Sequence, residues 1–218
     1  MTERSYRGLF WTLALLGLLL DQGTKYGVFA WLYDGSPEGK RSVIPGMFQL
    51  VAHFTEDGQP YVNKGALFGL GQQHETRPHR FFTWLGQAVS DRAAALGLGR
   101  PRLDGATTAN GFFAIVSLAA AGAIVAWSFR RSTARDRVLC AALGLILAGC
   151  VGNLYDRIVF AGVRDFLDFY LIRWPVFNVA DCCLVCGAAL LLAQAFWTSP
   201  ASVPSPQTQA EVGASSKP

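Results

Sequence analysis

Carboxylic acids and amides are concentrated in residues 152–181, between two apolar runs of the chain. The polar residues that could do chemistry in this stretch are Asn153, Asp156, Asp165, Asp168, Asn178 and Asp181. A charge left in hydrocarbon costs about 2.5–3.5 kcal/mol on insertion scales. Because this many ionisable groups lie beside runs apolar enough to span a membrane, the stretch predicts a functional site.

Two carboxylic acids held close together can hydrolyse a peptide bond without a metal ion. They cannot both ionise at low cost, so they share one proton and their pKa values separate. The ionised acid can take a proton from water, while the protonated acid polarises the carbonyl and later protonates the leaving amine. The stretch therefore predicts an intramembrane aspartyl protease. Spacing alone does not say which acids pair, because Asp165 could cap a turn, Asp168 could be solvated and Asp156 could pair with an arginine.

Other catalytic constellations have less support in the sequence. The three histidines all lie between residues 34 and 110, away from any serine in a suitable setting. The cysteines lie in apolar runs, where they act as small hydrophobes, and structural zinc normally takes four ligands. We therefore predict no metal and no cofactor. No glycine-rich phosphate loop is present. The five cysteines are Cys140, Cys150, Cys182, Cys183 and Cys186.

The composition indicates an integral membrane protein. Of the 218 residues, 51% are hydrophobic and 16% are charged, whereas a soluble domain carries about 25% charged residues. The net charge of +4 is modest, and no Lys/Arg run alternates with aromatic residues, so we predict no nucleic-acid partner.

Four apolar runs predict an all-α membrane protein with four transmembrane helices, at residues 8–31, 111–129, 138–155 and 181–197. A cleavable signal peptide is the alternative for the first run, but no small-x-small cleavage site follows it. Asp21 and Lys25 lie four residues apart near the far end of the first run, so they share a helix face and can pair.

The segments outside the spans divide the chain further. Residues 34–110 form a long loop, in which strand formers predict short strands over about 43–70 and a polar insertion fills about 71–110. Residues 81–96 could form an amphipathic helix on the membrane surface or a solvated insertion. We predict one membrane domain over residues 1–197 and a disordered tail over 198–218.

Basic residues predict the orientation of the spans. Arginines at 130, 131, 135 and 137 mark the second loop as cytoplasmic, and Arg4 and Arg7 place the N-terminus on the same side. With four spans both termini are cytoplasmic. Asp21, Lys25, Asn153, Asp156 and Asp181 then all lie at the outer membrane face, beside the 34–110 loop.

Five short blocks carry a specific resemblance. They are D-Q-G-T-K at 21–25, N-K-G-A-L-F at 63–68, G-N-L-Y-D-R at 152–157, V-R-D-F at 163–166 and F-N-V-A-D at 177–181. In this order they resemble the signature blocks of bacterial lipoprotein signal peptidase (signal peptidase II). The resemblance covers the spans and residues 43–70. It departs at Leu67, where the family usually has a small residue, and at the insertion after residue 71.

The resemblance implies a small extracytoplasmic β-cradle beside four transmembrane helices. It implies that Asp165 and Asp181 are the catalytic acids and that Asn63 and Arg157 contact the substrate backbone. Other residues of the blocks would support the site, namely Asp21, Lys25, Gly65, Asn153, Asp156 and Asn178.

The resemblance also implies the reaction and its place. The substrate would be a diacylglyceryl-modified prolipoprotein, cut on the N-terminal side of the lipidated cysteine. The protein would act as a monomer among membrane lipids, at the outer face of the bacterial cytoplasmic membrane. Two alternatives are a small proton- or ion-coupled transporter, in which intramembrane acids act as relays, and a structural four-helix protein, which leaves the dense 152–181 stretch unexplained.

Overall fold

The computed structural model describes residues 4–64, 77–99 and 101–197. Gly65, part of the 71–110 insertion and the predicted tail at 198–218 lie outside these residues. The elements, in chain order, are α1 (Arg7–Leu32), β1 (Glu38–Ile44), β2 (Phe48–His53), α2 (Arg77–Ala95), α3 (Gly105–Ser128), α4 (Arg131–Arg135), α5 (Arg137–Val159), β3 (Leu167–Asp168) and α6 (Val179–Trp197).

Three helices in the described part of the chain are long and apolar enough to cross a membrane: Gly105–Ser128, Arg137–Val159 and Val179–Phe196. Helix α1 has 26 residues, or about 39 Å at 1.5 Å per residue, which matches the length of a span. Its apolar run is interrupted by Asp21, Gln22 and Lys25, so α1 is not among the three.

Helix α5 lies at the centre of the helical part and packs against α1, α3 and α6. Its buried face includes Leu143 and Leu147, which belong to the same apolar core as Phe10 of α1. Small residues allow the closest approaches. A Cβ atom at Gly152 would lie 2.5 Å from the Asp21 carboxylate, so the absence of a side chain there lets α1 bring its acid against α5.

A three-stranded sheet covers the end of the helices that carries the polar residues. Strands β1 and β2 form an antiparallel hairpin, and β3 pairs antiparallel with β2 through Leu50 and Leu167. The strands predicted over about 43–70 begin earlier in the structure, and residues 65–70 lie outside the part of the chain that the structure describes. The sheet starts at Glu38, and its third strand comes from residues 167–168, because pairing with β2 satisfies backbone groups between α5 and α6.

The insertion is more helical than its polar composition predicts. The amphipathic helix expected at residues 81–96 is present as α2, with Phe81 and Trp84 exposed. Helix α3 starts at residue 105 instead of the predicted 111, because the Asp104 side chain caps it by accepting a hydrogen bond from Thr107 N at 2.6 Å.

Candidate active site

The N-terminus of α6 fixes Asp181. The backbone N–H of Asp181 donates to Asn178 Oδ1 at 3.1 Å, and the backbone N–H of Asn178 donates to Asp181 Oδ2 at 3.2 Å. This reciprocal pair is a capping box, with Asn178 at the cap and an acid three residues later. The local sequence N-x-x-D therefore both starts the helix and orients its first carboxylate.

Asp165 is held by strand-like backbone pairing on both sides. Upstream, Val163 exchanges two backbone hydrogen bonds with Asn63, at 2.7 and 2.8 Å. Downstream, Phe166 O accepts from Val51 N of β2, and Phe166 N donates to Phe177 O. The Phe166 side chain is only 2% exposed and packs in the apolar cluster beneath the sheet. The backbone around Asp165 is therefore held by hydrogen bonds and packing that do not involve the Asp165 carboxylate.

One buried amide joins the two acids. Asn178 Nδ2 donates to Asp165 Oδ1 at 2.6 Å, while the same residue caps Asp181. Each carboxylate also accepts from a further amide: Asn63 Nδ2 reaches Asp165 Oδ2 at 3.0 Å, and Asn153 Nδ2 reaches Asp181 Oδ1 at 2.9 Å. Asp165 and Asp181, hereafter the carboxyl pair, thus share a common scaffold of three asparagines.

The carboxyl pair differs from its scaffold in exposure. Both acids are partly exposed, whereas Asn178 is fully buried. Burial, and after it the nearby charge of Asp181, raises the pKa of the Asp165 carboxyl to about 7. A carboxyl that keeps its proton near neutral pH beside a second carboxyl fits acid–base chemistry on a water molecule.

A second group of charges lies deeper, and we call it the charge cluster: Asp21, Lys25, Asp156 and Arg164. All four side chains are at most 1% exposed. Lys25 Nζ lies 3.0 Å from Asp21 Oδ2 and 3.4 Å from Asp156 Oδ2, so the pairing predicted between Asp21 and Lys25 is present. The two acids and two cations balance, which is the condition under which buried charges are tolerated.

Arg164 completes this balance. Its Nη2 lies 2.8 Å from Asp156 Oδ1, and its Nε donates to Asp156 Oδ2 at 3.2 Å. The open alternative that Asp156 pairs with an arginine is therefore confirmed. Gln22 adds hydrogen bonds to the acids at positions 21 and 156, at 2.9 and 3.2 Å.

The charge cluster reaches the carboxyl pair through amides. Lys25 Nζ donates to Asn153 Oδ1 at 3.2 Å, and Asn153 in turn donates to Asp181. Asn178 Nδ2 also donates to Asn153 Oδ1. Asp21 Oδ1 accepts from the backbone N–H of Ala180 at 2.8 Å, in the first turn of α6. The buried ions therefore fix the positions from which the two acids project.

Comparison with known proteins gives these residues a context. Residues 87–197 match the family model described as signal peptidase (SPase) II. A lipoprotein signal peptidase from Cupriavidus taiwanensis is 34% identical over 84% of this chain and 81% of its own length. One from Rhodopirellula baltica is 33% identical over 86% of this chain and 71% of its own length.

The chain belongs to the signal peptidase II family. A third relative, from Pseudoalteromonas translucida, is 48% identical, but the match covers only 52% of that protein. A solved bacterial membrane enzyme has the same fold, with a TM-score of 0.62 and 22% identity over 93% of this chain and 99% of its own. The chain is thus an integral membrane enzyme of a family of aspartic proteases.

Arg157 is another residue of the signal peptidase II blocks, and its charge interacts with those of Asp165 and Asp181. It is 8% exposed, and its guanidinium lies over the Phe113 ring, 5.3 Å from the ring centroid. Asn110 of α3 brackets it: Arg157 Nη1 donates to Asn110 Oδ1 at 3.3 Å, and Asn110 Nδ2 donates to Arg157 O at 3.1 Å. Helix α3 therefore holds this arginine in place.

The structure brings together most of the site residues that the sequence singled out. The residues that meet in one connected network are Asp21, Lys25, Asn63, Asn153, Asp156, Asp165, Asn178 and Asp181. Asp168 lies apart in β3, where its Oδ2 accepts from Gln49 at 2.6 Å. Gly65 lies outside the described residues.

Sequence reasoning missed Gln22, Asn110 and Arg164. Gln22 and Arg164 stand next to predicted acids inside the signature blocks, so their position was a usable signal. Asn110 precedes the predicted start of its span, and nothing in the sequence links it to Arg157, because the contact depends on how α3 packs against α5.

Proposed function

We propose that this chain is an intramembrane aspartyl endopeptidase that removes signal peptides from diacylglyceryl-modified prolipoproteins. The observation that carries the proposal is the carboxyl pair. Asp165 and Asp181 are partly exposed, share the buried amide of Asn178 and project from a rigid backbone. Membership of the signal peptidase II family supports the same reaction.

The chemistry needs one proton shared by the carboxyl pair. The ionised carboxylate takes a proton from a water molecule, whose oxygen forms a bond to the scissile carbonyl carbon. The protonated carboxyl gives its proton to the carbonyl oxygen. When the tetrahedral intermediate collapses, the C–N bond breaks, the leaving nitrogen takes the proton that came from water, and one hydroxyl of the intermediate returns its proton to the second carboxylate. The products are a carboxylic acid and an amine, and the pair returns to its starting state.

Asn63 and Arg157 would hold the substrate backbone in this proposal. Asn63 already lies at the Asp165 carboxylate, where its backbone is paired with Val163. The charge of Arg157 interacts with both acids, and its side chain is positioned by Asn110 and Phe113. A guanidinium next to two carboxyls can donate to a peptide carbonyl while balancing the charge that the pair carries.

The topology we propose has α1 as a fourth span, beside the three strongly apolar helices. Both termini would then be cytoplasmic, and the carboxyl pair would lie at the outer face of the bacterial cytoplasmic membrane. A prolipoprotein already has its signal helix and acyl chains in the membrane, so a site between the end of α5 and the start of α6 would meet the cleavage point directly. The enzyme would act as a monomer among membrane lipids, cutting N-terminal to the lipidated cysteine.

A gel-shift cleavage assay tests the proposal. Purified protein in detergent is given a diacylglyceryl-modified prolipoprotein and, separately, its unlipidated form. We expect cleavage of the lipidated form alone, between the signal peptide and the lipidated cysteine, as mass spectrometry of the products would verify.

Absence of cleavage of both substrates by a well-folded, monodisperse wild type would contradict the proposal. Proton-flux measurements in liposomes would then test the transporter alternative. Equal cleavage of lipidated and unlipidated forms would retain the protease and remove the lipid requirement.

A further inference from the structure

We propose that Arg164 is a positioning residue for the cleavage reaction, holding both the loop that carries Asp165 and the lysine that supports Asp181. The inference rests on the proposed function. Arg164 immediately precedes Asp165 in the chain, but its side chain points into the protein and is 1% exposed. It is therefore placed to act on the carboxyl pair without touching substrate.

The first part of its role is an anchor between the loop and α5. The backbone N–H of Arg164 donates to Asp156 Oδ2 at 2.9 Å, and the guanidinium binds both oxygens of the same carboxylate, at 2.8 and 3.2 Å. The main chain and the side chain of Arg164 thus both bind the buried carboxylate of Asp156. A bidentate guanidinium–carboxylate pair fixes direction as well as distance, which a lysine cannot reproduce.

Residues of α1 and of the end of α5 converge on the Arg164 guanidinium. It lies between two aromatic rings, 4.2 Å from the centroid of Tyr26 in α1 and 4.1 Å from that of Phe160 after α5. Its Nη2 also donates to Gln22 Oε1 at 2.9 Å. Two ring contacts and a bidentate ion pair hold this side chain in a single conformation. The loop at residue 164 is therefore attached to both α1 and α5.

The second part of its role runs through the charge cluster to Asp181. Asp156 contacts both Arg164 and Lys25. Lys25 also donates to Asn153, which donates to Asp181. Without the arginine, Asp156 would draw Lys25 toward itself, because an unpaired buried carboxylate is costly. Lys25 would then support Asn153 less well, and both acids would lose their alignment.

The test replaces Arg164 by methionine and by lysine in the full chain. We expect Arg164→Met to lower kcat by about 10²-fold, since a misplacement of about 1 Å at reacting groups has that effect. KM should stay within about twofold, because substrate contacts remain. Lysine keeps a charge but not the bidentate grip, so kcat of Arg164→Lys should lie between those of Arg164→Met and wild type.

The pH profile separates positioning from a loss of folded protein. Lys25 lowers the pKa of Asp165 in the intact site, so withdrawing its charge should move the alkaline limb of the kcat profile to higher pH. A smaller folded fraction would scale the profile without moving it. Arg173→Met is the matched control, because Arg173 is an exposed arginine in the same loop, and its profile should match that of wild type.

Cleavage by wild type is the precondition, and its absence would count against the proposed function instead of this inference. An Arg164→Met enzyme with the kcat and pH profile of wild type would overturn the inference. A lower kcat at every pH, with the alkaline limb of the pH profile at its wild-type position, would also overturn it. If Arg164→Met does not fold, Asp156→Asn/Arg164→Met keeps the buried charges balanced, and wild-type kcat in that variant would equally overturn the role.

Discussion

Asp156 and Asp165 stand nine positions apart in the chain, yet their carboxylates occupy opposite environments. Asp156 is fully buried, and two cations neutralise it. Asp165 is partly exposed, and the hydrogen bonds it accepts come from two asparagines. Matched charge makes Asp156 a structural group. Amide donors orient Asp165 without neutralising it, so it can still exchange a proton. The same residue type thus supports the site in one place and does its chemistry in the other.

The largest expected effect is the loss of activity on changing either acid of the carboxyl pair. Asp165→Asn or Asp181→Asn removes half of the shared-proton system, so cleavage of lipidated substrate should fall by about 10³-fold or more. The rate is measured per folded enzyme in the gel-shift assay. Asp34→Asn is the control, because Asp34 is exposed and bonds to nearby Ser36. Turnover at the wild-type rate by either variant would remove that residue from the pair.

The second prediction concerns stability. Asp156→Asn leaves Lys25 and Arg164 without their shared acid, and breaking a buried pair costs about 3–5 kcal/mol. Thermal unfolding in detergent should show Tm lower by roughly 10 °C for a chain of this size. Asp168→Asn serves for comparison, since its partner Gln49 is neutral and its Tm should change by a few degrees at most. An unchanged Tm in Asp156→Asn would mean that the charge cluster is not structural.

The third prediction concerns the pH dependence of cleavage. The pKa of Asp165 is raised to about 7, so the shared proton is retained below that pH and lost above it. The rate per folded enzyme should therefore be high near pH 6 and fall as pH rises beyond 7. A rate that climbs steadily through pH 9 would show that no such proton takes part.

The fourth prediction is that the ionised carboxylate of Asp165 lowers the stability of the folded protein, whereas that of Asp156 raises it. Because the folded-state pKa of Asp165 lies above its ordinary value of 3.8, its contribution to stability is complete below pH 3.8 and is lost as pH rises toward 7. Asn does not titrate, so the Tm of Asp165→Asn relative to wild type should rise by roughly 10 °C between pH 4 and pH 8. A difference independent of pH would contradict this account.

The smallest expected effect is that of a chelator. The reaction we propose routes each proton through the carboxyl pair, so EDTA should leave the cleavage rate unchanged. Measurement of the rate before and after dialysis against EDTA would check this. A loss of activity that added zinc restores would overturn the assignment of the chemistry to two acids alone.

Much of the fold could be predicted because hydrophobic runs set the helices. The predicted spans at 138–155 and 181–197 lie within or close to α5 and α6, and the four-residue spacing of Asp21 and Lys25 predicted their contact. The third strand could not be predicted, since Leu167–Asp168 is short and becomes a strand only by pairing with β2. Long-range pairing leaves no local pattern in so short a segment.

The sequence could predict which residues belong to the site but not which of them contact each other. The acids and asparagines stood out as polar residues beside apolar runs, and the resemblance distinguished Asp165 and Asp181 from Asp156 and Asp168. Which acid meets which cation depended on three-dimensional packing. Arg164 shows this most clearly, because its neighbours in space lie in α1 and α5, far from it in the sequence.

Infrared spectroscopy of enzyme labelled with ¹³C-carboxyl aspartate would test most directly whether the two groups of acids differ as described. We predict one protonated aspartate carboxyl at pH 6 that is lost as pH rises through about 7, in line with the raised pKa of Asp165. This signal should disappear in Asp165→Asn, be lost at lower pH in Asp181→Asn because the neighbouring charge that raises the pKa of Asp165 is gone, and persist unchanged in Asp34→Asn. A spectrum with no protonated aspartate at pH 6, or a signal that survives both substitutions unchanged, would contradict a carboxyl pair that shares a proton.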